Sequence, residues 1–231
     1  MKALGVQWNA ETDMFTFKLK PLHDVVYTKR GFLKKLAMLF DPLQMLAPFT
    51  IRARMAMQET WLLGLGWDDV FSSDLKRTCQ EWFSQLPELS GVRVSRCYRA
   101  AEKIVADTSI HTMVDASLLA YAAVSYVRHK YEDGEVTVRF IAAKAKVAPT
   151  KAISVPRLEL MAVVLGLRLA RKVPELLETP FENCTLWTDS KDIIFWIQCQ
   201  ARRNKTFVAN RVSDIHQKSG SRQWRQFELS R

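Results

Sequence analysis

A chain of 231 residues that is 48% hydrophobic and 25% charged has the makeup of one large or two modest globular domains, which excludes disorder as its default state. Its formal net charge of +10, with a pI near 9.6, admits a polyanionic partner such as nucleic acid and equally an ordinary basic surface. The four cysteines lack C-x-x-C spacing and stand apart from the four histidines, so no zinc site is expected. No apolar run reaches the roughly 18 residues of a membrane span and the N-terminus has no signal-peptide core, which reads as an intracellular protein, cytoplasmic or nuclear, away from membranes.

In chain order, "LGVQWNAETDMFTFKLKP" sets Phe15, Phe17 and Leu19 against Thr16, Lys18 and Lys20, with turn residues from Asn9 to Asp13, and predicts a hairpin ended by Pro21. Its first residues read as the middle of a strand, the mark of an excerpt from something longer. Thr28 is a candidate N-cap for a helix carrying Phe32, Leu33, Leu36, Leu39 and Phe40, which must stop before Pro42. A second helix is predicted from Pro48 through Ile51, Met55 and Trp61 to the Gly64/Gly66 stop. A third covers 73–86, with Leu75, Cys79, Trp82, Phe83 and Leu86 at helical spacing.

After Gly91 the pattern changes to strands. "IHTMVDAS", "AYAAVSYVRH" and "EVTVRFIAAKAKVAP" are rich in β-branched and aromatic residues, and "KYEDG" supplies a turn between the last two. A long helix follows in "SVPRLELMAVVLGLRLARKVPELL", with Ser154 and Pro156 as start signals and Leu158, Met161, Leu165 and Leu169 on one stripe. Then come a fourth strand, "NCTLWTDS", and two helices, "KDIIFWIQ" and "VANRVSDIHQKS". Three antiparallel strands, a helix and a strand make an α/β order in which the fourth strand can pair parallel to the first, the helix forming the crossover.

That topology brings two strand-end acids, Asp115 and Asp189, side by side, and Glu159 near the start of the long helix can reach the same edge. Three acids with no cation among them repel one another and lose hydration, so raised pKa values or bound metal is expected. Hard oxygen ligands suit Mg²⁺ or Mn²⁺, and two such ions about 3.5–4 Å apart can activate a water and stabilise the leaving oxygen of a phosphodiester. Each acid alone has a simpler reading. Either aspartate can be a helix cap or turn residue, and Glu159 in a first helical turn complements the dipole. Asp192 reads as a first-turn acid, and His111 and His129 as strand-face or turn residues.

The blocks "HTMVDASLLAYAAVSYVR", "APTKAISVPRLELMAVVLGLRLARKV" and "TLWTDSKDIIFWI" resemble the three catalytic blocks of the RNase H domain that follows the reverse transcriptase in Bel/Pao-type LTR retrotransposon polyproteins. The segment "TKRGFLKKLAMLFDPLQMLAPFTIRARMAMQETWLLGLGWDD" is similar to the connecting helices of those polyproteins, and "LGVQWNAETDMFTF" to the hairpin after the polymerase strands. The resemblance implies three regions: a reverse transcriptase palm hairpin over 1–24, a helical thumb or connection over 25–104, and over 105–231 a C-terminally truncated RNase H-like domain, a mixed sheet flanked by helices. It implies two-metal cleavage of the RNA strand of RNA/DNA hybrids, with Asp115, Glu159 and Asp189 holding Mg²⁺ or Mn²⁺ and the rest of the pol polyprotein as partner.

Ser117 and Ser190 would contact the nucleic-acid backbone or only cap, and Arg202, Arg203, Lys205 and Arg211 would bind phosphates or form a solvated face. No polymerase signature is present, since "WDDV" at 67–70 follows a helix stop. The fourth block of the family begins with a Trp-Arg strand, which "QWRQFELSR" follows only through Trp224 and Arg225; Glu228 stands in a context that does not match. The alternative is an inactive retroelement remnant that binds nucleic acid or a protein. Part of this region is also described as a Pao retrotransposon peptidase, but "VDAS" and "TDSK" lack the Gly of an aspartic-peptidase turn, which speaks against that chemistry.

Overall fold

A computed structural model describes residues 2–3, 6–17, 25–100, 102–198 and 205–227 and divides into two units, Met1–Cys97 and Tyr98–Arg231. Of the residues singled out above, Lys18, Leu19, Lys20, Pro21, Arg202, Arg203 and Glu228 lie outside the described ones, as does Cys199, one of the four cysteines. No described helix is long and apolar enough to cross a membrane.

In the first unit the predicted hairpin forms from β2 (Val6–Asn9) and β3 (Met14–Thr16), with a short β1 (Lys2–Ala3) on the outer side of β2. The Asn9 side chain closes the turn by accepting from the backbone N–H groups of Glu11 and Thr12 at 2.9 and 3.3 Å. The fourth strand of this antiparallel sheet, β4 (Arg93–Ser95), comes from the far end of the unit and pairs with β3. Arg96 then reaches Asp13 at 2.5 Å.

Between them lie α1 (Lys29–Leu36), capped by the Thr28 hydroxyl, α2 (Ala47–Leu62) and α3 (Ser73–Ser84). The first helix ends four residues earlier than the apolar spacing predicts. The Asp41 carboxylate accepts from the N–H groups of Met45 and Leu46, organising a separate turn, and Phe40 is left exposed. The core of the unit is aromatic: Phe32 meets Phe71, Trp82 and Phe83 edge to face, and Phe49 stacks on Trp82 with centroids 4.7 Å apart.

The second unit is a five-stranded mixed sheet in the order β7-β6-β5-β8-β9, built from β5 (Val105–Ala116), β6 (Ala120–Tyr131), β7 (Val136–Val147), β8 (Cys184–Thr188) and β9 (Trp224–Gln226). Every second residue of β6 from Tyr121 to Tyr131 is buried, as a sheet covered on one face requires. The turn between β6 and β7 needs Gly134, whose φ of +85° L side chains avoid. As predicted, β8 pairs parallel to β5, and α4 (Val155–Leu177) makes the crossover. Helices α5 (Lys191–Gln198) and α6 (Thr206–Lys218) complete the layer, joining Leu158, Val163, Leu167, Ile193, Val212 and Ile215 in one core with Val114 and Leu186.

One position sets how closely α4 approaches the sheet. A Cβ added at Gly166 would stand 2.2 Å from Cγ1 of Val114, while below it Thr112 and Ser125 hold each other through a buried hydroxyl pair at 2.8 Å. Gly166→Ala must therefore push α4 away from β5. It is expected to destabilise the unit by about 1–3 kcal/mol, the usual penalty of overpacking, read as a lower urea midpoint with an unchanged slope.

Candidate active site

The register of the parallel pair fixes the two aspartates. Met113 lies opposite Trp187, and the same register carried two residues on sets Asp115 opposite Asp189. Adjacent strands are about 4.8 Å apart, so both carboxylates leave the sheet at one point. Asp115 is the penultimate residue of β5, and Asp189 follows β8 in the break before α5.

Glu159 is the fifth residue of α4, in its second turn; the first turn holds no acid, so the dipole account of Glu159 does not hold. Its carboxylate Oε2 accepts a 2.7 Å hydrogen bond from the Ser190 hydroxyl. Ser190 is buried, and its oxygen also accepts from the Ile193 N–H at 3.3 Å, so one side chain both caps α5 and holds Glu159 beside the strand ends.

The electrostatics follow from that crowding. Burial pushes the Asp115 carboxyl up, a hydrogen bond from the Ala116 N–H opposes this, and the Asp189 charge adds to it. Burial also raises Glu159; the Ser190 hydroxyl pulls it down, while Asp189, Asp192 and Asp115 push it further up. Asp189 Oδ1 is buried with no hydrogen-bond partner among the described residues. Among the described residues no group of three or more His, Cys, Asp or Glu side chains is gathered closely enough to hold an ion as it stands. The donor chemistry does fit a hard divalent cation, because all donors are carboxylate oxygens and one of them is buried and unsatisfied.

A raised carboxyl has a consequence for stability. Folded Glu159 keeps its proton to higher pH than an unfolded glutamate, so its contribution favours the fold below the ordinary glutamate range and is lost as pH rises through the raised value. Glu159→Gln removes the charge but leaves an acceptor for Ser190. At neutral pH it is expected to add about 0.5–1 kcal/mol to the unfolding free energy. The gain should vanish in acid, where the carboxyl is already neutral, and denaturation at the two pH values checks it.

The remaining expected residues fall in different places. Ser117 closes the β5–β6 turn: it is exposed, and its oxygen accepts from the N–H groups of Leu119 and Ala120 at 3.2 and 3.3 Å. Lys205 lines a cleft of about 400 Å³ with Ser154, Arg157, Asp192 and Trp196, at the α4 end that carries Glu159. Arg211 lies on α6 with its guanidinium 3.5 Å from the centre of the Phe207 ring. His111 accepts from the Trp187 indole N–H at 3.0 Å and His129 bonds Thr108 at 2.9 Å; burial holds both imidazoles below their usual pKa. Sequence reasoning passed over Arg157 and Trp196 in the cleft, although Arg157 stands two residues before Glu159 in "PRLEL".

No curated protein matches the chain. Among solved structures it is similar to one described as the foamy viral protease-reverse transcriptase in complex with dsDNA, at 10% identity and a TM-score of 0.38; the match covers 87% of this chain and 41% of the length of that one. A family model described as the Pao retrotransposon-like RNaseH-like domain matches residues 28–190, a span that contains Asp115, Glu159, Asp189 and Ser190. A match over well over half of the 231 residues, spanning all three carboxylates, makes this chain a member of the Pao retrotransposon-like RNaseH-like domain family.

Proposed function

We propose that the Tyr98–Arg231 unit is a nuclease domain of a retroelement pol polyprotein that cleaves the RNA strand of RNA/DNA hybrids with Mg²⁺ or Mn²⁺, acting inside the cell beside the polyprotein's other segments. The observation that carries this reading is the buried Asp189 Oδ1, without a hydrogen-bond partner among the described residues, set among two carboxyls that burial and the neighbouring acids push up. A polar atom buried without a partner costs about 1–3 kcal/mol, a cost that a cation ligated there would remove.

Held by Asp115, Glu159 and Asp189, a pair of such ions would activate a water and offset the charge on the leaving oxygen. The chain's own residues do the rest. Asp115 and Asp189, set at adjacent strand ends, would supply carboxylate oxygens to an ion held there. Ser190 keeps the Glu159 carboxylate turned toward them. Arg157 and Lys205 in the neighbouring cleft offer positive charge to the phosphates on either side of the cut. Hybrid shape and the 2′-hydroxyl select the RNA strand.

The full chain, incubated with Mn²⁺ and a hybrid whose RNA strand carries an end label, is expected to shorten that strand, to stop on chelation, and to leave duplex DNA intact. A second reading is favoured by the absence, among the described residues, of an acid cluster already gathered for an ion. There the unit binds hybrid or a protein partner without turnover. Salt-sensitive hybrid binding with no metal-dependent cleavage would establish that reading and remove the first.

A further inference from the structure

On the helix-covered side of the sheet, Tyr121 of β6, Lys146 of β7, Arg168 of α4, and Asn210 and Arg211 of α6 line a pocket of about 320 Å³ whose floor is Met161, Val164 and Leu165. Its lining holds three cations and one acid, Asp214, and that acid is already paired with Lys218. Tyr121 is nine-tenths buried, but its hydroxyl is not among the buried polar atoms left without a partner, which leaves it open to the pocket that the residue lines.

Both guanidiniums act on that phenol: burial raises its pKa, while Arg168 and Arg211 pull it down, which sets their charges around it. Arg211 is itself held in place, stacked on Phe207 and donating to the Phe207 carbonyl oxygen at 2.9 Å, and burial lowers its pKa. A half-buried guanidinium, a hydroxyl and two further cations around one cavity outnumber its one carboxylate, Asp214, which is paired with Lys218, and make a donor-rich set.

We propose that this pocket binds a phosphate group, with Arg168, Arg211 and Lys146 neutralising its charge and the Tyr121 hydroxyl donating to one oxygen. The residues are separate from Asp115, Glu159 and Asp189, so the pocket stands whether or not the carboxylates cleave. Two sources share this chemistry: a backbone phosphate of a bound strand, and a free phosphate or phosphomonoester.

The test is calorimetric titration of the full chain with inorganic phosphate in EDTA, at ionic strength held constant with chloride, so that no metal at the carboxylates contributes. Saturable one-to-one binding is expected, about tenfold weaker in Arg168→Gln and in Tyr121→Phe, each of which removes one charged or hydroxyl donor. Arg168 and Lys146 are exposed, so Arg168→Gln and Lys146→Gln should keep the melting temperature of the parent, which guards against loss by misfolding. A single-stranded oligonucleotide distinguishes the sources. Displacement of phosphate by the strand, with the same weakening in the variants, assigns a backbone phosphate. Strand binding that ignores the variants assigns a free one. Non-saturable phosphate uptake, or equal affinity in parent and variants, would overturn the proposal.

Discussion

Asp189→Asn should lower hybrid cleavage by at least about a hundredfold, since disturbing only the outer partners of a metal ligand already costs 10–100-fold. Asn keeps the shape of the side chain, and the Asp189 backbone carbonyl still accepts from Gln226 at 3.4 Å, so the strand end stays where it is. Loss of rate with retained fold therefore isolates the charge on Oδ1. The same substitution should weaken Mn²⁺ binding measured calorimetrically without nucleic acid, and Asp115→Asn, one strand over, should behave alike. Single-turnover rates within a factor of two of the parent would sink the assignment of these acids.

Ser190→Ala is the second large effect, because one oxygen does two jobs. Loss of the cap on α5 costs about 1 kcal/mol of stability, and loss of the bond to Glu159 lets that carboxylate turn away, for a further 10–100-fold in rate. Ser190 is a positioning residue, so rate alone does not prove its role. Its hydroxyl is the group that pulls Glu159 down against burial. Without it Glu159 takes up its proton at higher pH, and the acid limb of the rate profile should move upward. A variant that is merely less stable would lose rate with its limb unmoved.

Much of the second unit was legible before any coordinates, for physical reasons. β-Branched and aromatic content in "AYAAVSYVRH" and 3.6-residue spacing in the long helix are local signals, and the handedness of a parallel crossover left one arrangement that joins Asp115 to Asp189. What the sequence hid was non-local. β4 is three residues long, two of them polar, and becomes a strand only because β3 presents an edge to it. Nothing in "TDSK" says that the Ser190 hydroxyl turns toward Glu159 rather than toward solvent, since that depends on α4 lying across the strand end. Nothing in "AYAAVSYVRH" marks Tyr121 out; only the meeting of β6, β7, α4 and α6 sets it in one pocket with three cations. The premature end of α1 had a local cause, but the Asp41 turn competes with a helical pattern that reads just as well to Phe40.

The outermost strand of the larger sheet carries a further consequence. β7 runs for twelve residues with one side unpaired by any described strand, and Val136 and Val138 are exposed on it. Such a length of open backbone is a template onto which a second copy could add its own strand. Arg139, Lys144 and Lys146 put like charges along it, and the register shift opposite Ser125 and Tyr126 breaks its straight run of donors and acceptors. A copy approaching edge to edge therefore meets repulsion and a kink together. Edge-to-edge addition of a second copy is thereby disfavoured at this strand.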